Sequence, residues 1–194
     1  MNSEPALQKR ELRQKLRALL KTRSNAEGRA ASLRACDLLR QQSVWTSARA
    51  VLFYAPTAGE IDLSPMLDEG LRAGKTIALP KFIEEKETYD AFQIRDVASD
   101  CAPGKFGISE PTGQCARFPL KRLDLVLAPG VGFDVTGLRL GRGQGFYDRL
   151  LALIGGIKCG VAFDQQIVEQ IAGEKHDVRM NFILTPTRWL EISG

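Results

Sequence analysis

The apolar run Leu125 to Ala128 leads directly into Pro129–Asp148, PGVGFDVTGLRLGRGQGFYD. This junction constrains the fold more than any other feature of the chain. A short apolar run bounded by turn residues reads as a strand buried on both faces. The stretch after it holds Gly130, Gly132, Gly137, Gly141, Gly143 and Gly145, six of the 18 glycines. Glycine tolerates left-handed backbone angles and lets the main chain approach a ligand closely. Arg139 and Arg142 stand among these glycines, so backbone N–H and guanidinium donors are offered together, the chemistry of a phosphate cradle. Asp148 adds a carboxylate suited to a metal ion beside phosphates. A merely flexible loop would not need the aromatic pair Phe146-Tyr147 or the flanking apolar runs. The spacing fits neither GxxxxGK[ST] nor GxGxxG, because Phe146 occupies the third glycine position. The local pattern gives a phosphate-binding loop between a strand and a helix.

The flanking chain supplies the rest of the architecture. Residues 7–23 predict an amphipathic helix with Lys9, Arg13, Leu16 and Leu20 on one stripe. Ser24 and Glu27 have capping-box spacing and open a second helix to about Gln41. Ala50–Tyr54 and Thr76–Leu79 read as strands. Between them Ser64-Pro65 fits the Ncap and N1 positions of a helix that Gly74 ends. Tyr89–Ile94 is a further strand, and the Pro- and Gly-rich stretch Ser99–Phe118 predicts a long ordered loop. A helix over about Phe146–Ile154, a strand over Ile157–Phe163, a short helix over Gln165–Ile171 and a strand over Phe182–Thr185 complete the series. Alternating strands and helices predict a single three-layer α/β domain, a mostly parallel sheet with helices on both faces. Ligands of such sheets bind beyond the carboxyl ends of the strands, where Glu60, the glycine loop and the Gln165 region would meet.

Composition narrows the setting. Hydrophobic residues at 44% and charged residues at 26% are ordinary for a globular chain. No apolar run approaches the roughly 20 residues that span a bilayer, and the basic N-terminus lacks a signal-peptide core. Cys36, Cys101, Cys115 and Cys159 are far apart and read as reduced thiols of a cytoplasmic protein. The net charge of +4 is concentrated near the N-terminus, where Lys9–Arg23 holds seven Lys or Arg residues and one acid, Glu11.

Beyond these local signals, PGVGFDVTGLRLGRGQGFYDRLL resembles the signature of the 5-formyltetrahydrofolate cyclo-ligase family. The likeness extends to Lys9–Arg13, to Gly59-Glu60-Ile61-Asp62 with Leu63 where Thr is common, to Leu79-Pro80, Glu110-Pro111, His176-Asp177 and Ile183-Leu184-Thr185. Gln144, Phe146 and Asn181 depart from the usual residues. The resemblance implies a ligase dependent on ATP and Mg2+ that cyclises 5-formyltetrahydrofolate to 5,10-methenyltetrahydrofolate, acting as a monomer without nucleic-acid or membrane partners. It leaves open whether the folate carries one glutamate or several. It also implies residue roles. Lys9, Arg13 and the run Arg139, Leu140, Gly141, Arg142, Gly143, Gln144, Gly145, Phe146 and Tyr147 correspond to the ATP site, with Arg142 and Tyr147 at the reaction centre. Ala55, Glu60, Pro129, Gly130, Arg142 and Tyr147 correspond to the folate site, and Asp148 and Asp177 to metal ligands.

Each assignment has a plainer counterpart. Asp148 could serve only a helix dipole, and Glu60 could be an ordinary turn acid. His176 reads as a loop residue rather than a base, Trp45 and Trp189 as packing residues, and Phe106 as a weak candidate cover for the pterin. Two other functions compete: a non-catalytic nucleotide or RNA binder using the basic helix, and a sugar-phosphate isomerase or acyl-CoA enzyme on a related sheet. Residues 9–23 contain no aromatic for base stacking, which counts against RNA.

Overall fold

The computed structural model describes residues 4–104, 107–174 and 177–192. The expectations for Phe106 and His176 lie outside the described residues. Helix α1 (Glu4–Lys21) precedes α2 (Asn25–Arg40). The capping box is formed: the Ser24 hydroxyl accepts from the Glu27 N–H at 3.2 Å, and the Glu27 carboxylate accepts from the Ser24 N–H at 2.8 Å. A short helix α3 (Ser43–Ser47) leads to β1 (Ala50–Leu52). Helix α4 (Ser64–Arg72) starts differently from the sequence expectation. Leu63, not Ser64, occupies the cap position, and Ser64 and Pro65 lie inside the first turn. The turn is held by Asp62 Oδ1, which accepts from the Ser64 N–H at 2.9 Å and its hydroxyl at 2.6 Å.

Strand β2 (Thr76–Ile83) pairs antiparallel with β3 (Thr88–Ile94). The stretch expected to be a loop instead carries a helical turn α5 (Val97–Asp100) and an antiparallel ribbon of β4 (Cys101–Pro103) with β5 (Ser109–Pro111). Then come β6 (Leu125–Pro129), β7 (Gly132–Asp134), β8 (Arg139–Leu140), α6 (Phe146–Ala152), β9 (Ile157–Val161), β10 (Ile167–Val168), β11 (Phe182–Leu184) and β12 (Trp189–Glu191). The main sheet has the order β12-β11-β9-β6-β1-β2-β3, with only its edge strands β12 and β3 antiparallel to their neighbours.

Alternation along the central strands sends side chains to opposite faces. Val51, Ile77, Leu125 and Leu127 pack on one face with Ala35, Leu39, Trp45 and Met66 from α2, α3 and α4. Leu52, Ala78, Val126 and Ala128 pack on the other with Leu150 and Leu151 from α6. The three layers follow from this apolar demand on both sides. Trp45 meets Phe53 edge-on with centroids 6.0 Å apart, and Trp189 stacks on Phe182 at 4.9 Å, so both tryptophans pack.

The glycine-rich stretch is more structured than a strand-to-helix loop. Its first half forms β7 and β8, which join β10 in a second, three-stranded sheet. The expected helix over Gln165–Ile171 is a helical turn at Asp164–Gln166 followed by β10. Gln166 explains the difference, because its buried amide donates to the Gly130 and Val131 carbonyls at 2.9 and 3.0 Å and accepts from the Phe163 N–H at 2.7 Å. Helix α1 lies on this sheet through Leu12, Leu16, Val131 and Leu140. The second sheet is seated on the first by Phe133, whose fully buried ring fills the space over Gly130 and Gly160. A Cβ at residue 160 would come within 2.5 Å of that ring. Gly160→Ala should therefore overpack the junction and lower unfolding stability by about 1–3 kcal/mol, read from urea denaturation. Unchanged stability would show that the ring has room to move.

Candidate active site

At the carboxyl ends of β1, β2 and β6, the chain encloses a chamber of about 380 Å3. Its apolar walls are Tyr54, Pro80, Tyr89, Ile108, Phe146 and Tyr147, and its polar ones include Glu60, Arg142 and Asp148. Burial pushes up the hydroxyl pKa of Tyr54, Tyr89 and Tyr147. These phenols stay protonated near neutral pH and act as donors, not bases. Tyr54 donates to the Ile61 carbonyl. The Tyr147 hydroxyl is buried and has no hydrogen-bond partner among the described residues, an unsatisfied state that a ligand acceptor would relieve.

The glycine loop reaches this chamber through an internal strut. The Arg139 side chain is only 4% exposed. It donates from Nη1 to the Pro129 carbonyl at 2.8 Å and from Nε and Nη2 to Asp148 Oδ1 at 3.0 and 2.8 Å. Its guanidinium lies 5.2 Å from the Tyr147 ring centroid. Arg139, read from the sequence as a cradle cation, thus braces the end of β6 against the start of α6. Beyond it the chain turns through Gly143 at φ 108° and Gly145 at φ 67°, angles that favour glycine. Leu140 has its side chain in the core beside Leu16, away from the cleft. Arg13 donates from Nε to the Gly141 carbonyl at 2.8 Å and holds the loop from outside.

Arg142 projects from the loop in the opposite direction. Its Nη2 donates to Thr57 Oγ1 at 2.6 Å and to Glu60 Oε1 at 2.8 Å, while Glu60 Oε2 accepts from the Thr57 N–H at 2.8 Å. The arginine side chain is half exposed and Glu60 only 14%. Beyond this triad lies a second, wider cavity of about 850 Å3. Thr57, Glu60, Gly130 and Arg142 line both spaces. The ion pair therefore stands on the boundary between them.

Lys9 and Asp177 form a separate anchor. Lys9 Nζ donates to Asp177 Oδ2 and to Glu174 Oε2, each at 2.7 Å. Asp177 Oδ2 also accepts from the Glu174 N–H at 2.7 Å. The basic helix therefore turns its first two stripe cations inward, which weakens the RNA-binding reading. Among the described residues no group of three or more His, Cys, Asp or Glu could hold a metal by itself. The donor chemistry nevertheless suits a hard cation shared with phosphates. Among the described residues Asp148 Oδ2 and Asp177 Oδ1 carry no hydrogen bond, and Mg2+ commonly takes one or two carboxylates, with phosphates and water for the rest.

Of the residues singled out in the sequence, Ala55, Glu60, Pro129, Gly130, Arg139, Arg142, Gln144, Gly145, Phe146, Tyr147 and Asp148 line the chamber. Lys9, Arg13, Leu140, Gly141, Gly143 and Asp177 do not. Tyr54, Thr57, Pro80, Tyr89, Ile108, Ser109 and Glu110 line it without having been singled out for the site. Pro80 and Glu110 lay inside recognisable motifs, but only the register of β2 and β5 aims them here.

For Lys9, burial disfavours the charge, but the bonds to Asp177 and Glu174 outweigh it and raise its pKa above the ordinary 10.5. A raised folded pKa contributes stability below the unfolded value that is lost as pH rises through the folded one. Lys9→Ala should cost about 1–3 kcal/mol at neutral pH by leaving the Asp177 carboxylate without its cation. The gap from the parent protein should close above pH 10.5; a gap independent of pH would show that the loss is one of packing.

Comparison with known proteins follows this geometry. A family model described as the 5-formyltetrahydrofolate cyclo-ligase family matches residues 5–186. The 5-formyltetrahydrofolate cyclo-ligase of Escherichia coli K12 is 32% identical over 181 residues, covering 91% of this chain and 97% of that protein. A probable 5-formyltetrahydrofolate cyclo-ligase of Caenorhabditis elegans is 28% identical, with 91% of each chain covered. The solution structure of Aquifex aeolicus 5,10-methenyltetrahydrofolate synthetase superposes with a TM-score of 0.86 at 31% identity, covering 96% of this chain and 93% of that one.

Proposed function

The chain belongs to the 5-formyltetrahydrofolate cyclo-ligase family, and on that premise we propose how its own residues divide the work. It is an ATP-dependent ligase that converts 5-formyltetrahydrofolate to 5,10-methenyltetrahydrofolate. The observation that carries the proposed route is the position of Arg142. It belongs to the glycine loop, faces an aromatic chamber, and is held in reserve by Glu60 and Thr57.

The pterin and formyl end of the folate occupies the chamber. Tyr54, Tyr89 and Tyr147 give it flat, apolar walls, and the unsatisfied Tyr147 hydroxyl donates to one of its acceptors. Glu60 accepts from folate N–H groups once Arg142 lets go. The ATP phosphates lie along Gly141–Gly145, with Arg13 behind the loop. Asp148 and Asp177 would hold Mg2+, whose charge offsets that of the phosphates.

A formamide oxygen is a poor leaving group on a weak electrophile. Transfer of the γ-phosphoryl group to that oxygen releases ADP and makes the carbon attackable. N10 of the same folate forms the new C–N bond and gives up its proton, and the C–O bond breaks to release phosphate. The formyl oxygen leaves in that phosphate. Such transfer depends on positioning and charge stabilisation more than on covalent help. Arg142, freed from Glu60, meets the charge that develops on the phosphoryl group and on the departing oxygen.

Mixing protein, ATP, Mg2+ and 5-formyltetrahydrofolate should produce the methenyl absorbance band, with one ATP consumed per product. ATP hydrolysis without that band would overturn the route. Arg142→Ala should lower kcat by roughly 100-fold or more with a smaller change in KM. Glu60→Gln should raise the folate KM and spare that of ATP. Equal losses for both ligands would place Glu60 in the scaffold.

A further inference from the structure

The four cysteines fall into two kinds. Cys36 and Cys159 are fully buried, and burial pushes both thiols up, Cys36 to about 11. Such thiols are inert near neutral pH, because the thiolate is the reacting form. Cys101 and Cys115 are only half-buried, and they meet at one end of the β4–β5 ribbon. Cys101 opens β4 opposite Pro111 of β5. The chain after Pro111 folds back. The Thr112 N–H donates to the Asp100 carbonyl at 2.7 Å, and the Cys115 N–H donates to the Thr112 carbonyl at 3.3 Å. This turn carries the Cys115 thiol over the start of β4, where it donates to the same Asp100 carbonyl at 3.3 Å.

Asp100 is bonded directly to Cys101, so standard bond lengths put Cys115 Sγ within about 6 Å of the Cys101 Cα. Both thiols pack against the same hydrophobic cluster. Burial pushes the Cys101 thiol up, and the neighbouring Cys115 adds to the shift, which also reports their closeness. A disulfide holds its Cα atoms about 4.4–6.8 Å apart. Rotation of the two side chains and a shift of the exposed Gly113-Gln114 turn bring the pair to that spacing. The pair also touches the chamber. Cys101 shares a side-chain hydrogen bond with Ser109, and Ile108, Ser109 and Glu110 form part of the chamber wall.

We propose that Cys101 and Cys115 are a redox-sensitive pair that closes to a reversible disulfide and thereby weakens folate binding in the chamber. The oxidant is a small-molecule disulfide. One protein thiolate attacks it, forms a mixed disulfide and expels one thiolate. The second protein thiolate attacks the protein sulfur of that mixed disulfide and expels the other. Two electrons pass from the protein sulfurs to the small disulfide, and the two thiol protons end on the released thiols. The bridge takes the Cys101 sulfur from Ser109 and ties the ribbon to the turn, so the wall that faces the ligand changes. Loss of one such hydrogen bond corresponds to a roughly twofold to tenfold change in affinity. The disulfide stands on the ribbon geometry alone, whereas its effect on folate rests on the assignment of the chamber.

The test incubates the full chain with oxidised glutathione under native conditions, alkylates the remaining thiols and maps the cysteines by mass spectrometry. A Cys101–Cys115 bridge should form and dithiothreitol should reverse it, while Cys36 and Cys159 become alkylated only after unfolding. Calorimetric titration should show 5-formyltetrahydrofolate bound roughly twofold to tenfold more weakly by the oxidised protein, with ATP affinity unmoved. Cys115→Ser should bind folate like the reduced parent and should not respond to the oxidant. Glutathione retained on either cysteine without an internal bridge, a bridge to Cys36 or Cys159, or equal folate affinity in the two redox states would each overturn the proposal. A response to oxidant that survives in Cys115→Ser would overturn it as well. A protein that forms the bridge but binds no folate in either state would uphold the disulfide and refute the chamber assignment instead.

Discussion

The buried guanidinium of Arg139 is the interaction on which the site depends. It joins the Pro129 carbonyl, at the end of a central strand, to Asp148 in the first turn of α6. Taking a charged pair out of water is costly and is repaid only when geometry and hydrogen bonding are good. Here three donor contacts and an adjacent aromatic face meet that condition. The effect is to fix both ends of a loop that otherwise turns through left-handed glycines. Gly141 belongs to the same arrangement, because a Cβ there would lie 2.7 Å from Arg139 Nη2. A site of this kind works by positioning, and the positioning begins with this strut.

With the loop fixed, its second arginine can be mobile. Arg142 is half exposed, and its Glu60 and Thr57 partners lie on the wall shared by the chamber and the wider cavity. A salt bridge at such exposure adds little to stability. It serves better as a resting position that a ligand carboxylate or phosphoryl group can outcompete. The two arginines, three residues apart in sequence, thus hold opposite assignments because one is inside the protein and the other at its surface.

Much of this was legible in the sequence, and the remainder has physical causes. The apolar run before Pro129 and the alternation of strands with helices revealed the layered sheet, because burial on both faces leaves no polar break. The Ser24–Glu27 cap was readable because both of its bonds are local. The second sheet was not, since β7, β8 and β10 are only two or three residues long and β10 joins β7 from a distant part of the chain, Ile167 opposite Phe133. Gln166 reads as a surface amide until the Gly130 and Val131 carbonyls are placed beside it. The local pattern offered Arg139 and Arg142 alike as cradle cations because residue type does not reveal burial, and only the family resemblance set Arg142 apart. Tyr54 follows β1 and Tyr89 lies in β3, and only the β1–β2–β3 register brings them to one chamber.

The central claim is that this geometry directs a phosphoryl group onto the formyl oxygen. Its most direct test is isotopic. The formyl oxygen of 5-formyltetrahydrofolate is labelled with 18O, a single turnover is run with ATP and Mg2+, and the released phosphate is analysed by mass spectrometry. The account predicts one labelled oxygen in the phosphate for each methenyl product formed. Label recovered in water, with unlabelled phosphate, would contradict it.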